Sequence, residues 1–290
     1  MRAAALLLAC AAAAAAGDPP RLEVERGVEL ARLLGPGEWE ASGIDVVAGG
    51  RLAVVFDDDP RVALVEPDLS RATLVGEPGG DSGHEGIAWD ALGRRAWVVV
   101  EEARRDDGSW AARLVELDER LARLGQPAWL PIPTAGKNKG IEGLALVRRR
   151  EQPFLLCLFE GNHGEAKKRG KEVGNGRVEV LRRSGAAWER EARLSLPRLA
   201  AFEDYAGIDV EGDRVAVVSQ SSAQVWIGRL APDAWRLVDE GRVLALPEGF
   251  DRVEGIAWID ERRLVVCSDV ADEDESPARD QSIHVLRIPD

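Results

Sequence analysis

The fold is decided by a repeated opening that is clearest at Glu85-Gly86-Ile87-Ala88-Trp89, which a polar turn separates from the apolar run Arg95-Ala96-Trp97-Val98-Val99-Val100. Four other segments repeat this order of a Gly-aliphatic step, a polar turn and an apolar run; their steps are Gly43-Ile44, Gly143-Leu144, Gly207-Ile208 and Gly255-Ile256. Gly and Asp in the turns are typical of β-hairpins. The apolar run is typical of a strand that is buried on both faces. Each segment therefore predicts two antiparallel strands.

A third, more alternating strand follows each predicted pair, and a weaker fourth strand follows in four of the repeats. Four antiparallel strands per repeat, with 43 to 64 residues from one repeated Gly to the next, predict an all-β fold, a β-propeller of five blades. The last repeat has three strands before Asp290, and we expect segment 28–34 to supply its outer strand and close the ring. A sixth, degenerate blade between Gly108 and Lys139 is the alternative.

The N-terminus has the pattern of an export signal. Arg2 precedes an unbroken small and apolar run over residues 3–16, which is too short to span a bilayer. Ala14 and Ala16 fit the rule for signal-peptidase cleavage, whereas the segment ending at Cys10 is similar to a lipoprotein signal. We therefore expect residues 1–17 to be a signal peptide of either type and residues 18–290 to be one propeller domain. The predicted location is extracytoplasmic, as a periplasmic, secreted or outer-surface protein.

The charge balance restricts the partners. The 290 residues include 51 acidic and 38 basic side chains, for a formal net charge of −13. This balance argues against nucleic-acid binding, which needs a concentrated basic face. It suits a soluble protein and a cation site, and the expected partner is a small-molecule ligand or an extracytoplasmic protein. Cys157 and Cys267 each lie within an apolar run, so we expect small buried side chains and no disulfide between them.

Carboxylates recur at the start of the blades. Because the first strand of each propeller blade lines the central channel, the opening residues of all blades converge on one axis. Several carboxylates near one axis repel one another unless a cation or protons intervene, and hard oxygen ligands suit Ca²⁺. The sequence thus predicts a Ca²⁺ ion in or at the mouth of the channel, with these candidate ligands: Glu85, Glu142, Glu254, Asp45 and Asp209. Asp45 and Asp209 come three positions later than the Glu residues, on what can be the other face of the strand. The alternative is that each Glu caps backbone N–H groups of the neighbouring blade.

The ends of the second strands should reach one rim of the propeller, where loops usually form sites. Acidic, asparagine and histidine side chains at this rim are candidate ligand-binding residues: Asp57, Glu102, Glu160, Asn162, His163, Asp269 and His84. A histidine beside a carboxylate would provide acid–base chemistry; the alternative is that His84 and His163 are loop histidines without a catalytic role. The sequence has no GxSxG, HExxH or phosphate-loop motif.

The repeated Glu-Gly-Ile/Leu-Ala opening with an acidic strand end resembles the SdiA-regulated propeller family and the related phytase-like esterase domains, over about residues 40–290. The resemblance implies an exported propeller, in some members with bound calcium. The positions that match the acidic pattern are Asp57, Glu85, Glu102, Glu142, Glu160 and Glu254. Ser219-Gln220-Ser221-Ser222 departs from it in the fourth blade, which puts a symmetric ion site in doubt.

A narrower segment, His84 to Asp90, is similar to the opening of the gluconolactonase (regucalcin-like) propellers. That resemblance implies a Glu-held divalent metal that polarises a lactone. Those enzymes complete the site with Asn and Asp ligands, whereas none of the three asparagines here lies in a predicted inner strand: Asn138, Asn162 and Asn175.

Three functions follow from these patterns. The first is a protein that binds a small ligand or a partner, with Ca²⁺ at the channel. The second is a metal-dependent hydrolase of a lactone, ester or phosphoester, which requires Glu85, Glu142 and Glu254 in one coordination sphere. The third is an interaction scaffold, which exposed tryptophans such as Trp110 or Trp188 would favour.

Overall fold

The structure is a computed structural model that describes residues 18–79, 82–134, 140–160, 176–185, 187–270 and 279–290, with only the backbone described at 101–103. Within these residues, twenty strands form five antiparallel sheets of four strands each. The prediction of a five-bladed propeller is confirmed. The alternative of a sixth blade is wrong, because residues between Gly108 and Lys139 supply the outer two strands of the second blade.

The elements follow the repeats along the chain. The closing segment is β1 (Glu23–Glu29) followed by the short helix α1 (Leu30–Leu34). Blade 1 is β2 (Ala41–Val46), β3 (Leu52–Phe56), β4 (Val62–Val65) and β5 (Ala72–Val75); blade 2 is β6 (His84–Asp90), β7 (Arg95–Arg104), β8 (Trp110–Leu117) and β9 (Ala128–Thr134). Blade 3 is β10 (Ile141–Arg149), β11 (Gln152–Phe159), β12 (Arg177–Ser184) and β13 (Ala187–Ser195); blade 4 is β14 (Gly207–Glu211), β15 (Arg214–Ser219), β16 (Gln224–Arg229) and β17 (Arg242–Ala245). Blade 5 is β18 (Val253–Trp258), β19 (Arg263–Ser268) and β20 (Ser282–Arg287), completed by β1.

The ring closes through an N-terminal strand, as expected, but five residues earlier than predicted. β1 pairs antiparallel with β20, from Glu23 opposite Arg287 to Glu29 opposite Ser282. The predicted segment 28–34 falls mainly in α1, where Leu30 is fully buried and Gly35, at φ 94°, ends the helix. The apolar positions of this segment therefore serve a helix that packs on the core between blades 5 and 1.

The repeated Gly is required where neighbouring inner strands approach. A Cβ added to Gly86 would lie 2.8 Å from the Leu144 backbone nitrogen, and one added to Gly255 would lie 2.9 Å from the Ile44 nitrogen. Gly43, Gly143 and Gly207 meet the backbone of the following blade in the same way. Any side chain at these positions would push two blades apart, so the five glycines determine the width of the ring.

The residue before this Gly lies in a β-bulge in four blades, where the register shifts by one residue. A bulge redirects the side chain that it carries. The bulged residues are Ser42, Glu85, Glu142 and Glu254. The Ser42 hydroxyl donates to the His84 carbonyl of the next blade. This contact joins two blades through a carbonyl, so it differs from the capping of backbone N–H groups that was the alternative role for the Glu residues.

Five hydrophobic cores alternate with the blades, one between each neighbouring pair. Cys157 and Cys267 are free thiols that are fully buried in two of these cores, as expected. Trp188 is also buried, with its ring centroid 5.6 Å from that of Trp97. Trp188 is therefore not an exposed ring of the kind that would favour an interaction scaffold, and Trp110 is half-buried.

Candidate functional site

The central channel is almost closed. Each blade contributes its Gly-aliphatic step to the wall. The aliphatic residues of these steps also pack in the cores between the blades: Ile44, Ile87, Leu144, Ile208 and Ile256. The cavity between the five steps has a volume of about 10 Å³. One ordered water needs about 10–15 Å³. The channel interior therefore has no room for an organic ligand.

Glu85, Glu142 and Glu254 occupy equivalent positions before the Gly, and Glu85 and Glu142 line the channel. Burial raises the pKa of Glu254 well above its usual value, and the charges of Asp269, Glu142 and Asp57 raise it further. Glu254 is thus close enough to the predicted rim carboxylates to feel their charge. Among the described residues, however, no three His, Cys, Asp or Glu side chains form a group that could hold a metal ion. A preassembled Ca²⁺ site is not found in this part of the chain, and the ion stays a prediction.

Asp45 and Asp209 lie beyond the Gly-aliphatic step along their strands, about 10 Å from the residue that opens the blade at a rise of ~3.3 Å per residue. Asp45 Oδ2 accepts from the Trp89 backbone N–H at 2.5 Å, and Asp209 Oδ2 accepts from the Trp258 N–H at 2.7 Å. Each Asp thus caps the inner strand of the following blade. Burial raises the pKa of Asp45 well above its usual value, with a further contribution from Asp209, and burial raises that of Asp209 to about 6.

The predicted ligand-binding residues fall into separate groups. Asp57 is exposed and Asp269 is half-buried at the mouth beside Glu254. Glu160 directly follows β11, and its carbonyl accepts from the Tyr205 N–H at 3.0 Å. Asn162, His163 and the side chain of Glu102 lie outside the described residues.

His84 and Glu85 are adjacent in sequence, but the structure places them in different cavities. Glu85 lines the channel, whereas His84 lines a space between blades 1 and 2. Successive side chains of a strand point to opposite faces, and the bulge at Glu85 keeps the two apart. An acid–base pair formed by these two residues is not observed.

Sequence reasoning missed Asp204 at the fourth blade. Asp204 is buried, and its carboxylate accepts from the Ser219 hydroxyl at 2.5 Å and from the Ser221 hydroxyl at 2.7 Å. It therefore supplies the carboxylate that the Ser219–Ser222 segment lacks. Nothing in the repeat pattern marks Asp204, because it lies in the connection before the blade.

A second cavity, with a volume of about 460 Å³, lies between blades 1 and 2. Ligand pockets in proteins typically measure about 300–1,000 Å³. Its walls are mostly aliphatic side chains from both blades: Val62, Val75, Val98, Val100, Val115 and Leu121. His84, Arg113 and Arg123 also line it. We call the space that these residues line the interblade cavity.

The core around the interblade cavity differs from the other four. Each of those contains buried aromatic rings: Phe154, Phe202, Tyr205 and Trp226 between blades 3 and 4; Trp39 and Phe56 between blades 5 and 1; Phe250 and Trp258 between blades 4 and 5; Trp97, Phe159 and Trp188 between blades 2 and 3. The buried members described between blades 1 and 2 are all Ala, Val, Ile or Leu, with Trp89 only partly buried. Space that rings fill elsewhere is open here. Protein interiors otherwise contain few voids larger than a water molecule.

The five four-stranded sheets define a five-bladed β-propeller, and comparisons with known structures find chains of similar fold. The PQQ-bound aldose sugar dehydrogenase of Streptomyces coelicolor is 16% identical, covers 93% of this chain and 99% of its own, and has a TM-score of 0.56. A GH43_1 enzyme of Xanthomonas citri complexed with xylose is 13% identical, with 89% of each chain covered and a TM-score of 0.51. At these identities the likeness shows the propeller fold alone.

No protein-family model matches the chain, and a search of curated proteins finds no match. The structural likenesses show the propeller fold, and they do not distinguish the SdiA-regulated or phytase-like families among proteins of that fold. In the part of the chain that the structure describes, no helix is long and apolar enough to cross a membrane.

Proposed function

We propose that this chain is an exported ligand-binding propeller that takes up a small organic molecule in the interblade cavity. The observation that carries the proposal is the open apolar volume of about 460 Å³ in the one core whose described buried residues include no aromatic ring. Water in an apolar space of this size finds few polar partners on the lining. A bound apolar molecule would remove that lining from water, which contributes roughly 25 cal/mol for each Å² of apolar surface buried.

Export rests on the N-terminal pattern of Arg2 and the apolar run 3–16, which lies outside the described residues. A metal-dependent hydrolase is less well supported, because it requires a group of carboxylates around one ion and none occurs among the described residues. Binding of a protein partner through the propeller faces stays an alternative expectation from the sequence.

Filling the interblade cavity tests the proposal. Val98 and Val115 line it on neighbouring strands and are buried. Titration of the full chain with Nile red, a neutral dye whose fluorescence rises in apolar surroundings, should give saturable binding. Val98→Phe should weaken that binding at least about tenfold. Because Val98 is fully buried, the larger ring also overpacks this core by about 1–3 kcal/mol, so Tm should fall by several degrees while the variant stays folded.

Val99 provides a matched control, since it is the next residue of β7 and packs in the filled core between blades 2 and 3. Val99→Ile should leave dye binding unchanged. Val115→Phe is the second filling variant, in case Val98→Phe fails to fold. Equal dye affinity in wild type and in a folded filling variant would contradict the proposal.

A further inference from the structure

The interblade cavity has one basic end. His84, Arg113 and Arg123 are its basic lining residues, and Glu77, exposed at the mouth, is its acidic one among the described residues. Arg123 is held in a loop where its Nε donates to the Gly125 carbonyl at 3.1 Å. The rest of the lining is mostly aliphatic. The cavity is thus amphipathic, with an apolar body and a cationic end.

His84 carries an unused hydrogen-bonding atom. The residue is only 6% exposed, and its Nδ1 has no hydrogen-bond partner among the described residues. Buried polar atoms are almost always satisfied, and leaving one unsatisfied costs about 1–3 kcal/mol. A ligand oxygen in the cavity would provide the missing partner.

Two guanidinium groups and one carboxylate of the described residues act on His84. Burial, together with the charges of Arg123 and Arg113, lowers the pKa of His84 to about 4, against the opposing charge of Asp59. Arg61 engages that Asp59 carboxylate through Nε at 2.9 Å and Nη2 at 2.5 Å. Near neutral pH the imidazole is uncharged and can donate one hydrogen bond, while the two guanidinium groups supply positive charge. This set matches a carboxylate better than it matches a neutral or cationic head group.

The net charge of the whole chain opposes this preference of the cavity for an anion. A protein of net charge −13 attracts cations and repels anions at long range. Non-specific electrostatics would therefore favour a cationic ligand, and any preference for an anion must come from the cavity itself.

We infer that the ligand is an amphipathic organic acid, whose aliphatic body lies among the valines of the interblade cavity and whose carboxylate lies at His84, Arg113 and Arg123. This inference rests on the proposed function and deepens it by assigning the ligand class.

The test compares ligands that share a chain and differ in the head group. Decanoate, 1-decanol and decyltrimethylammonium would be titrated by displacement of Nile red from the full-length protein. Decanoate should bind at least about tenfold more tightly than 1-decanol, as expected for hydrogen bonds to charged groups, and the cation should bind most weakly.

Variants separate the inference from the proposed function. Arg113→Gln/Arg123→Gln should weaken decanoate binding about tenfold or more and leave 1-decanol unchanged. Arg120→Gln, in the same loop but lining a different cavity, should change neither. If all three ligands bind equally well, or if the double variant does not weaken decanoate binding, the inference fails and the proposed function stands. If no ligand displaces the dye and the dye itself does not bind, the proposed function fails.

Discussion

At the scale of single residues, the two inner-strand aspartates show how one side chain combines structure and charge. Asp45 and Asp209 each accept a backbone N–H from the next blade and one from the residue that follows them. The sequence predicted carboxylates near the axis. It did not predict that these two would act as caps, because the capped Trp89 and Trp258 are 44 and 49 residues away.

The raised pKa of Asp209 gives a prediction about pH. A carboxyl whose folded-state pKa, here about 6, exceeds its ordinary value of 3.8 contributes stability at low pH that is lost as the pH rises through 6. Asn cannot titrate, so the Tm of Asp209→Asn minus that of wild type should increase between pH 4 and pH 7.5. Thermal denaturation of both proteins across this range measures the difference. A difference that stays constant, or decreases, would show that Asp209 ionises normally in the folded protein.

The residues of the interblade cavity illustrate what sequence can and cannot predict. His84 was a candidate because it precedes the first Glu-Gly step of blade 2. Arg113, Arg123 and Leu121 were missed, since they lie in an ordinary alternating strand and in the loop after it. Only the pairing of β8 against β7 and the packing of blade 2 on blade 1 bring them together.

At the scale of elements, the repeated Gly of the sequence motif lies where the inner strands of neighbouring blades meet. The motif predicted the blades because each repeat needs a residue without a side chain where inner strands meet. Alternating polar and apolar residues, together with continuous apolar runs, predicted the positions of the strands well. The closing strand was misplaced because segment 28–34 has apolar residues compatible with either a strand or a helical turn, and the burial of Leu30 decides for the helix.

Substituting one of these glycines tests that interpretation. Gly86→Ala places a Cβ 2.8 Å from the Leu144 nitrogen, and overpacking of this kind costs about 1–3 kcal/mol. Tm should therefore fall by several degrees, measured by circular dichroism at the β-sheet signal. Gly37→Ala is the control, because its Cβ would meet nothing nearer than Trp39 at 3.5 Å. If both variants have the Tm of wild type, the close approach of inner strands does not determine the ring.

At the scale of the whole molecule, five similar blades enclose five unequal cores. A repeat pattern predicts the blades, since each is a local unit, but it does not predict which core is left open. That depends on large side chains such as Trp97 and Trp226, which are contributed to other interfaces. The acidic surface and the basic end of the interblade cavity are likewise properties of the folded chain.

A crystal structure of the protein with bound decanoate tests the central claim most directly. We expect its chain to lie in the interblade cavity against Val98 and Val115, with the carboxylate within hydrogen-bonding distance of His84 and Arg123. A structure in which the cavity is filled by the protein's own side chains, or in which decanoate binds only elsewhere, would contradict the account.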